Sequence, residues 1–336
     1  MVSFKIDRLQ TIFDSFAGKR IAVVGDLMLD RYFWGTVSRL SPEAPVPIVE
    51  VEEESTRLGG AANVANNIAS LGGTPLLVGV VGKDSGAEFM RSIVKEKGFP
   101  TNGLVVDAAR PTTMKTRVIA HNQHVVRVDQ EVKKDISQEI ERNIVETLKH
   151  EINSIDGIIL EDYNKGVLTN NLIKEIVHLA ADHKKVVTVD PKFNNFFDYC
   201  GVTVFKPNRK EMEEAIGRRM QNLDEMKQVA IDLLKKIQAK NILLTLGDKG
   251  MMLVEQSGES SYVETKARVV ADVSGAGDTV IATLTMALVA NASVREAAML
   301  ANYAGGIVCG DVGIVPIDKK VLFNAVSEEM DNGAVQ

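Results

Sequence analysis

Between Asp272 and Asp278 the chain runs Val273, Ser274, Gly275, Ala276 and Gly277, and an apolar stretch, 280–290, follows directly. A helix opened by such small residues leaves the N–H groups of Gly275, Ala276 and Gly277 unobstructed at the positive end of the helix dipole, where an anion is held. A carboxylate in the same turn repels a ground-state anion. Asp278 therefore suits a base that takes the proton from a hydroxyl beside a phosphate under attack; a plain helix cap is the bland alternative.

A second constellation is Gly59, Gly60 and Asn63, at the head of a segment in which Ala61, Ala65 and Ala69 recur every four residues. The alanines give a thin helix face for close packing. Two glycines followed one turn later by an amide suit contact with a polyhydroxylated ligand instead. Further polar groups sit where apolar runs end: Asp26 and Asp30 after 21–25, and Glu161, Asp162 and Tyr163 after 157–160. Asp190, Pro191 and Lys192 follow 186–189, Lys206, Pro207 and Asn208 follow 202–205, and Thr245, Leu246 and Gly247 close 242–246. Polar residues at successive strand ends mark one crevice at the carboxyl edge of a parallel sheet. No G-x-G-x-x-G follows the first run, which disfavours a dinucleotide-dependent oxidoreductase.

The elements that must position these groups follow from periodicity. Helices are expected at 61–69, 85–97, 136–149, 168–181, near 211, and at 223–237. Strands are expected at 21–25, 76–81, 157–160, 186–189, 202–205, 242–246 and 251–254, with a β-like run at 267–270. This alternation implies an α/β fold, a parallel sheet with helices on both faces. Two segments differ in texture. Pro42, Pro45 and Pro47 confine 32–55 to sheet edges, and 111–130 alternates Lys115, Arg117 and Arg127 with valines; together they form a small β-sheet lid. One domain over 1–330 with a short tail, 331–336, is the expected organisation.

The 336 residues carry a net charge of −6 and no basic block, against a nucleic-acid platform. No run is long enough to span a bilayer and no apolar leader is present, so no membrane partner and a cytoplasmic location are expected. Cys200 and Cys309 stand far apart and imply no disulfide framework. His121 and His124, on a strand, fall on opposite faces and make a poor metal pair.

Taken together, these residues resemble the ribokinase-like (PfkB) family of carbohydrate kinases over nearly the whole chain. Gly59, Gly60, Ala61, Ala62 and Asn63 with Leu71 and Gly72 are similar to the family's N-terminal motif. The stretch from Asp272 to Asp278 is similar to its D-T-x-G-A-G-D motif, with Val273 in place of the threonine, and Asn208 to Glu211 is similar to its N-x-x-E element. Within the family, Gly25 to Tyr32, the P-E-A-P-V-P run at 42–47, the D-Y-N-K-G run at 162–166 and Asp190-Pro191-Lys192 resemble the heptose-phosphate kinases.

The resemblance implies a three-layer α/β/α sandwich with a mostly parallel central sheet and a β lid, and transfer of the γ-phosphoryl group of ATP to a sugar hydroxyl. It implies Asp30, Gly59, Gly60 and Asn63 on the sugar, with Asp162 beside them, and Lys115, Arg117, Lys165 or Lys192 on a substrate phosphate. Asn208, Thr245, Gly247 and Gly250 would line the nucleotide, with Asn302 near the adenine. Glu211 would steer Mg2+, largely through water, and Asp272 would help hold K+. A homodimer through the lid is expected, together with a separate or fused adenylyltransferase; the chain lacks an H-x-G-H motif for that second step. The rivals are a ribokinase-like kinase for another sugar phosphate or a nucleoside, and a catalytically silent sugar- or nucleotide-binding regulator.

Overall fold

The computed structural model describes residues 5–121, 123–265, 272–310 and 313–333. The chain opens with α1 (Ile6–Asp14) and β1 (Arg20–Gly25), sends out β2 (Leu27–Leu40) and β3 (Pro47–Gly60), and returns through α2 (Ala61–Ser70). It continues with β4 (Thr74–Val81), α3 (Ser85–Glu96) and β5 (Leu104–Val106), then a second excursion, β6 (Thr113–Ala120) and β7 (Gln123–Gln130). Next come α4 (Gln138–Glu151), β8 (Gly157–Glu161), α5 (Asn170–Asp182), β9 (Val186–Asp190), β10 (Val204–Phe205), α6 (Arg209–Ile216) and α7 (Leu223–Ile237). Strands β11 (Asn241–Thr245), β12 (Met251–Glu255) and β13 (Ser260–Val263) precede α8 (Ala276–Val289), α9 (Val294–Val308) and α10 (Lys319–Gly333).

The main sheet has the order β13-β12-β11-β10-β9-β8-β1-β4-β5. Strands β11 to β5 pair in parallel, and β12 and β13 add antiparallel at one edge. Because successive strand residues face opposite ways, β1 sends Ile21 and Val23 into a core built with α1, α2, α3, α8, α9 and α10. Ala22 and Val24 go into a second core with α4, α5, α6 and α7. Two cores on two faces give three layers. Helix α8 is buried along nearly its whole length, as expected for an element walled in by the sheet, α2 and α9.

The lid is a separate four-stranded sheet of order β3-β2-β6-β7. Its first strand leaves β1 with only Asp26 between them, so β2 and β3 are longer than the 32–55 expected from the prolines. Periodicity passes over α1, β5, β13, α9 and α10, and α10 continues to Gly333, into the part expected as a tail. The run 267–270 lies outside the described residues. Among the described residues no helix is long and apolar enough to cross a membrane.

Candidate active site

The crevice follows from topology. From β1 the chain winds one way to β4 and β5 and later the other way through β8, β9, β10 and β11. Ligands bind at such a reversal point, outside the carboxyl ends of the strands. Here Gly25 is the register partner of Glu161, Glu161 that of Asp190, and Lys206 follows the β10 residue paired with Val189. One row across four strands thus reads Gly25, Glu161, Asp190, Lys206. Gly25 is required in it, because a Cβ there would lie 1.9 Å from the Glu161 carbonyl oxygen.

Helix α8 stands over this row. Asp278, 3% exposed in its first turn, accepts hydrogen bonds from Asn63 Nδ2 at 2.7 Å and from the Tyr163 hydroxyl at 2.8 Å. Burial raises its pKa to about 6, against the lowering effect of those two donors. Carboxylate oxygens of Glu161, Asp190 and Asp278 lie within 4.8 Å of one another. Lys206 donates to Asp190 Oδ2 at 2.8 Å. Burial opposes ionisation of Asp190, yet Lys206 and Lys192 hold it below the ordinary carboxylate range. Glu161 is completely buried, and neither carboxyl oxygen has a hydrogen-bond partner among the described residues. Burial, then the charges of Asp190 and Asp278, push it well above the usual carboxylate range.

Gly275 caps α8 with φ 78°, and a Cβ there would lie 3.0 Å from Asn63 Nδ2. The Ala276 N–H turns back to the Val273 carbonyl at 3.3 Å. The expected three-amide cradle is therefore narrowed to Gly275 and Gly277. A Cβ on Gly277 would lie 3.4 Å from Asp190 Oδ2 and 3.8 Å from Lys206 Nζ, so that ion pair lies against the Gly277 end of the turn. Asp272, ahead of them, accepts from the Ser274 and Gly313 amides at 2.9 and 3.0 Å. Those bonds outweigh burial and lower its pKa, keeping it ionised. Residues 266–271 and 311–312 around it lie outside the described residues.

On the lid side, Asp30 is buried and ion-paired with Arg117. Gly59 leaves room for it, since a Cβ there would sit 2.0 Å from Asp30 Oδ2. Gly60, at φ 55°, brings the backbone against the Asp26 carbonyl, 2.5 Å from a would-be Cβ. The Oδ1 of Asn63 is, like both carboxyl oxygens of Glu161, buried without a hydrogen-bond partner among the described residues. Strand register puts Asp30, Lys115 and Asp129 on one lid face with Tyr32, Arg117 and Arg127. Lys115 makes no ion pair among the described residues; burial, then Lys165 and Arg127, lower its pKa. Lys165 pairs with Glu131 at 2.7 Å.

Several expected contacts are redirected. Asp162 is one residue beyond Glu161 and so points to the other side of the sheet, where it accepts from Tyr199 Oη and the Asn164 amide, both at 2.7 Å. Lys192 is turned to Glu211, at 2.5 Å, and Asp190, at 3.6 Å, and lies over the Tyr163 ring. Asn208 and Glu211 form a capping box at the start of α6. Asn208 also bridges to Thr245 at the end of β11. Gly247, at φ 65°, faces open space, whereas Gly250 is packed against the Val263 carbonyl. Asn302 donates to the Glu264 carbonyl at 2.7 Å and ties α9 to the segment after β13. The groups to which sequence reasoning gave no role of their own are Glu161, Tyr163, Asp190 and Lys206; their common position at strand ends was the available signal.

Residues 19–319 match the pfkB family of carbohydrate kinases. The chain is 43% identical to the bifunctional protein HldE of Helicobacter pylori strain J99 over 295 residues, covering 88% of this chain and 64% of that protein. It is 43% identical to the HldE of Desulfatibacillum aliphaticivorans over 307 residues, 91% of this chain and 63% of that one. Thus it spans less than two thirds of these relatives. Its fold is similar to phosphofructokinase-2 from Escherichia coli in its tetrameric inhibited form (TM-score 0.74, 17% identity, 92% of this chain and 99% of that one). It is also similar in fold to Arabidopsis thaliana ribokinase complexed with ribose and ATP (TM-score 0.71, 18% identity, 92% and 99%). Topology, lid and the residues gathered at the reversal point agree with the sequence match: this chain belongs to the pfkB family of carbohydrate kinases.

Proposed function

We propose that the chain is an ATP-dependent kinase that phosphorylates the anomeric O1 of D-glycero-β-D-manno-heptose 7-phosphate, giving the 1,7-bisphosphate. The observation that carries the phosphotransfer reading is Asp278, buried at the first turn of α8 with both oxygens oriented by neutral donors. The heptose reading rests on the motifs at 25–32, 42–47, 162–166 and 190–192 and on the likeness to the HldE proteins.

In this mechanism Asp278 accepts the proton of the acceptor hydroxyl as that oxygen attacks the γ-phosphorus of ATP in line. The amides of Gly275 and Gly277, with the Lys206 ammonium at the Gly277 end, stabilise charge on the transferring oxygens. Asp30, Gly59, Gly60 and the Oδ1 of Asn63 hold sugar hydroxyls. Thr245, Gly247 and Asn208 line the nucleotide, with Gly250 and Asn302 shaping that end. Glu211 would steer Mg2+ largely through water, neutralising phosphate charge; among the described residues the carboxyl oxygens gathered closely enough to hold an ion are those of Glu161, Asp190 and Asp278. Asp272, held ionised, is the residue for K+.

For the substrate phosphate, Lys115 makes no ion pair among the described residues and lies on the lid face that carries Asp30, with Arg127 and Lys165 beside it. Lys115→Met is expected to raise KM for the sugar phosphate roughly tenfold or more and leave KM for ATP unchanged. Lys192→Met should instead weaken the ATP side. The reverse pattern in initial-rate kinetics would move the phosphate to Lys192. The exposed valines Val126 and Val128 on the opposite lid face support a homodimer through the lid, and a fused or separate adenylyltransferase would consume the product. Measuring ADP release over a panel of sugars, sugar phosphates and nucleosides tests the assignment; best turnover of a ketohexose phosphate or a nucleoside would replace the heptose.

A further inference from the structure

Tyr163 stands at the start of a loop with little freedom. Its backbone N–H and those of Lys165 and Val167 all donate to the buried carboxylate of Asp26, at 2.7, 3.1 and 3.3 Å. Asp162 grips the Asn164 amide and Tyr199. Gly166, at φ 81°, passes so near the Lys134 carbonyl that a Cβ would lie 2.1 Å from it. A loop fixed this thoroughly delivers one hydroxyl to one place. That place is Asp278 Oδ1, at 2.8 Å, across 115 residues of sequence.

The other carboxylate oxygen, Oδ2, is held by Asn63. With one donor on each oxygen the plane of the carboxylate is fixed, and each oxygen keeps a lone pair uncommitted. Free of Tyr163, Asp278 would be open to Lys206, which is bonded to Asp190 at 2.8 Å, a carboxylate whose oxygen lies within 4.8 Å of an Asp278 oxygen. An ion pair there removes the lone pair from the acceptor. The Tyr163 ring also carries the Lys192 ammonium 5.2 Å from its centroid, and Lys192 is bonded to Glu211. One side chain therefore touches both the carboxylate and the charged cluster at the far end of the crevice.

We propose that Tyr163 is a positioning residue for phosphoryl transfer, its hydroxyl clamping Asp278 so that the carboxylate faces the acceptor and stays off Lys206. This rests on the reading of Asp278 as the base. Tyr163→Phe deletes the hydroxyl and keeps the ring. In the full chain, with Mg2+, ATP and the best acceptor of the panel above, kcat should fall roughly tenfold to a hundredfold while both KM values stay within about twofold. A structural tyrosine would lower thermal stability without that split. Tyr163→Leu, which removes the ring as well, should show the same kcat loss with an added effect on KM for ATP. In an Asp278→Asn background, Tyr163→Phe should cost nothing further, since the two act as a unit.

The inference fails if Tyr163→Phe keeps kcat within about twofold, if acceptor KM rises while kcat holds, or if the losses multiply in the double variant. An active Asp278→Asn protein would overturn the reading of the base itself. An inactive one beside a fully active Tyr163→Phe would overturn only the clamp.

Discussion

Asp278→Asn should lower kcat by about a thousandfold, within the range that general-base removal produces, and leave ATP affinity nearly intact. The substitution is isosteric, and the amide can still accept from Tyr163 or Asn63 on one side, so the fold is not the reason for the loss. Equilibrium titration with ATP separates the two effects. Activity within about tenfold of the parent would remove Asp278 as base. The pH dependence has a defined sign. Burial raises the Asp278 pKa to about 6, and a base must be ionised. Turnover should therefore rise with pH through a limb near 6, and be lost below it. Asp26, raised to about 6 chiefly by burial and then by Asp162, protonates over the same interval. That protonation would loosen the 163–167 loop, which sharpens the limb. In Asp278→Asn the residual rate should lose the part of the limb that belongs to the base.

The largest stability effect is expected for Lys206→Met. Lys206 is 3% exposed and holds Asp190 at 2.8 Å, with Glu161 and Asp278 close by. Methionine keeps the volume but leaves a buried carboxylate with only Lys192, 3.6 Å away. Breaking one side of a buried pair costs roughly 3–5 kcal/mol. With Lys206 gone, burial prevails and Asp190 takes up a proton more readily. The destabilisation should thus be smaller at about pH 5 than at about pH 8, a difference that denaturant unfolding at both values resolves. A loss under about 1 kcal/mol at the higher pH, the size expected of a solvent-exposed pair, would mean the charges are compensated elsewhere.

Much of the architecture is legible in the sequence because the signals are local. The 3.6 and 2.0 periodicities and the glycine–proline punctuation set most helices and parallel strands within a few residues. What escapes is short, as β5 with three residues, a half-exposed edge, as β13, or, as in the 15-residue α9, alanine-rich and buried over much of its surface, so that no polar face marks it. The site divides in the same way. Asp278, Asn63, Gly59 and Gly60 announce themselves through spacing within one turn. Glu161, Asp190 and Lys206 meet only through register across β8, β9 and β10, which no single strand encodes. Asp162 shows the cost of that gap. It neighbours Glu161 in sequence, but alternation sends the two to opposite faces, and only one of them faces α8.

The row on the sheet and the helix above it also bear on how the chain acquires activity. Asn63 and Asp278 are 215 residues apart, Thr279 and Asn67 are 212 apart, and Tyr163 and Asp278 are 115 apart. Contacts of such separation close the largest loops and form late, after the local units are in place. Until α8 docks, Glu161 and Asp190 remain open to water as ordinary carboxylic acids. Native pKa values and competence for turnover are therefore expected to arrive together, with the docking of the C-terminal helices. In a refolding experiment the far-UV signal should return before ADP-release activity, and simultaneous recovery would place that docking early.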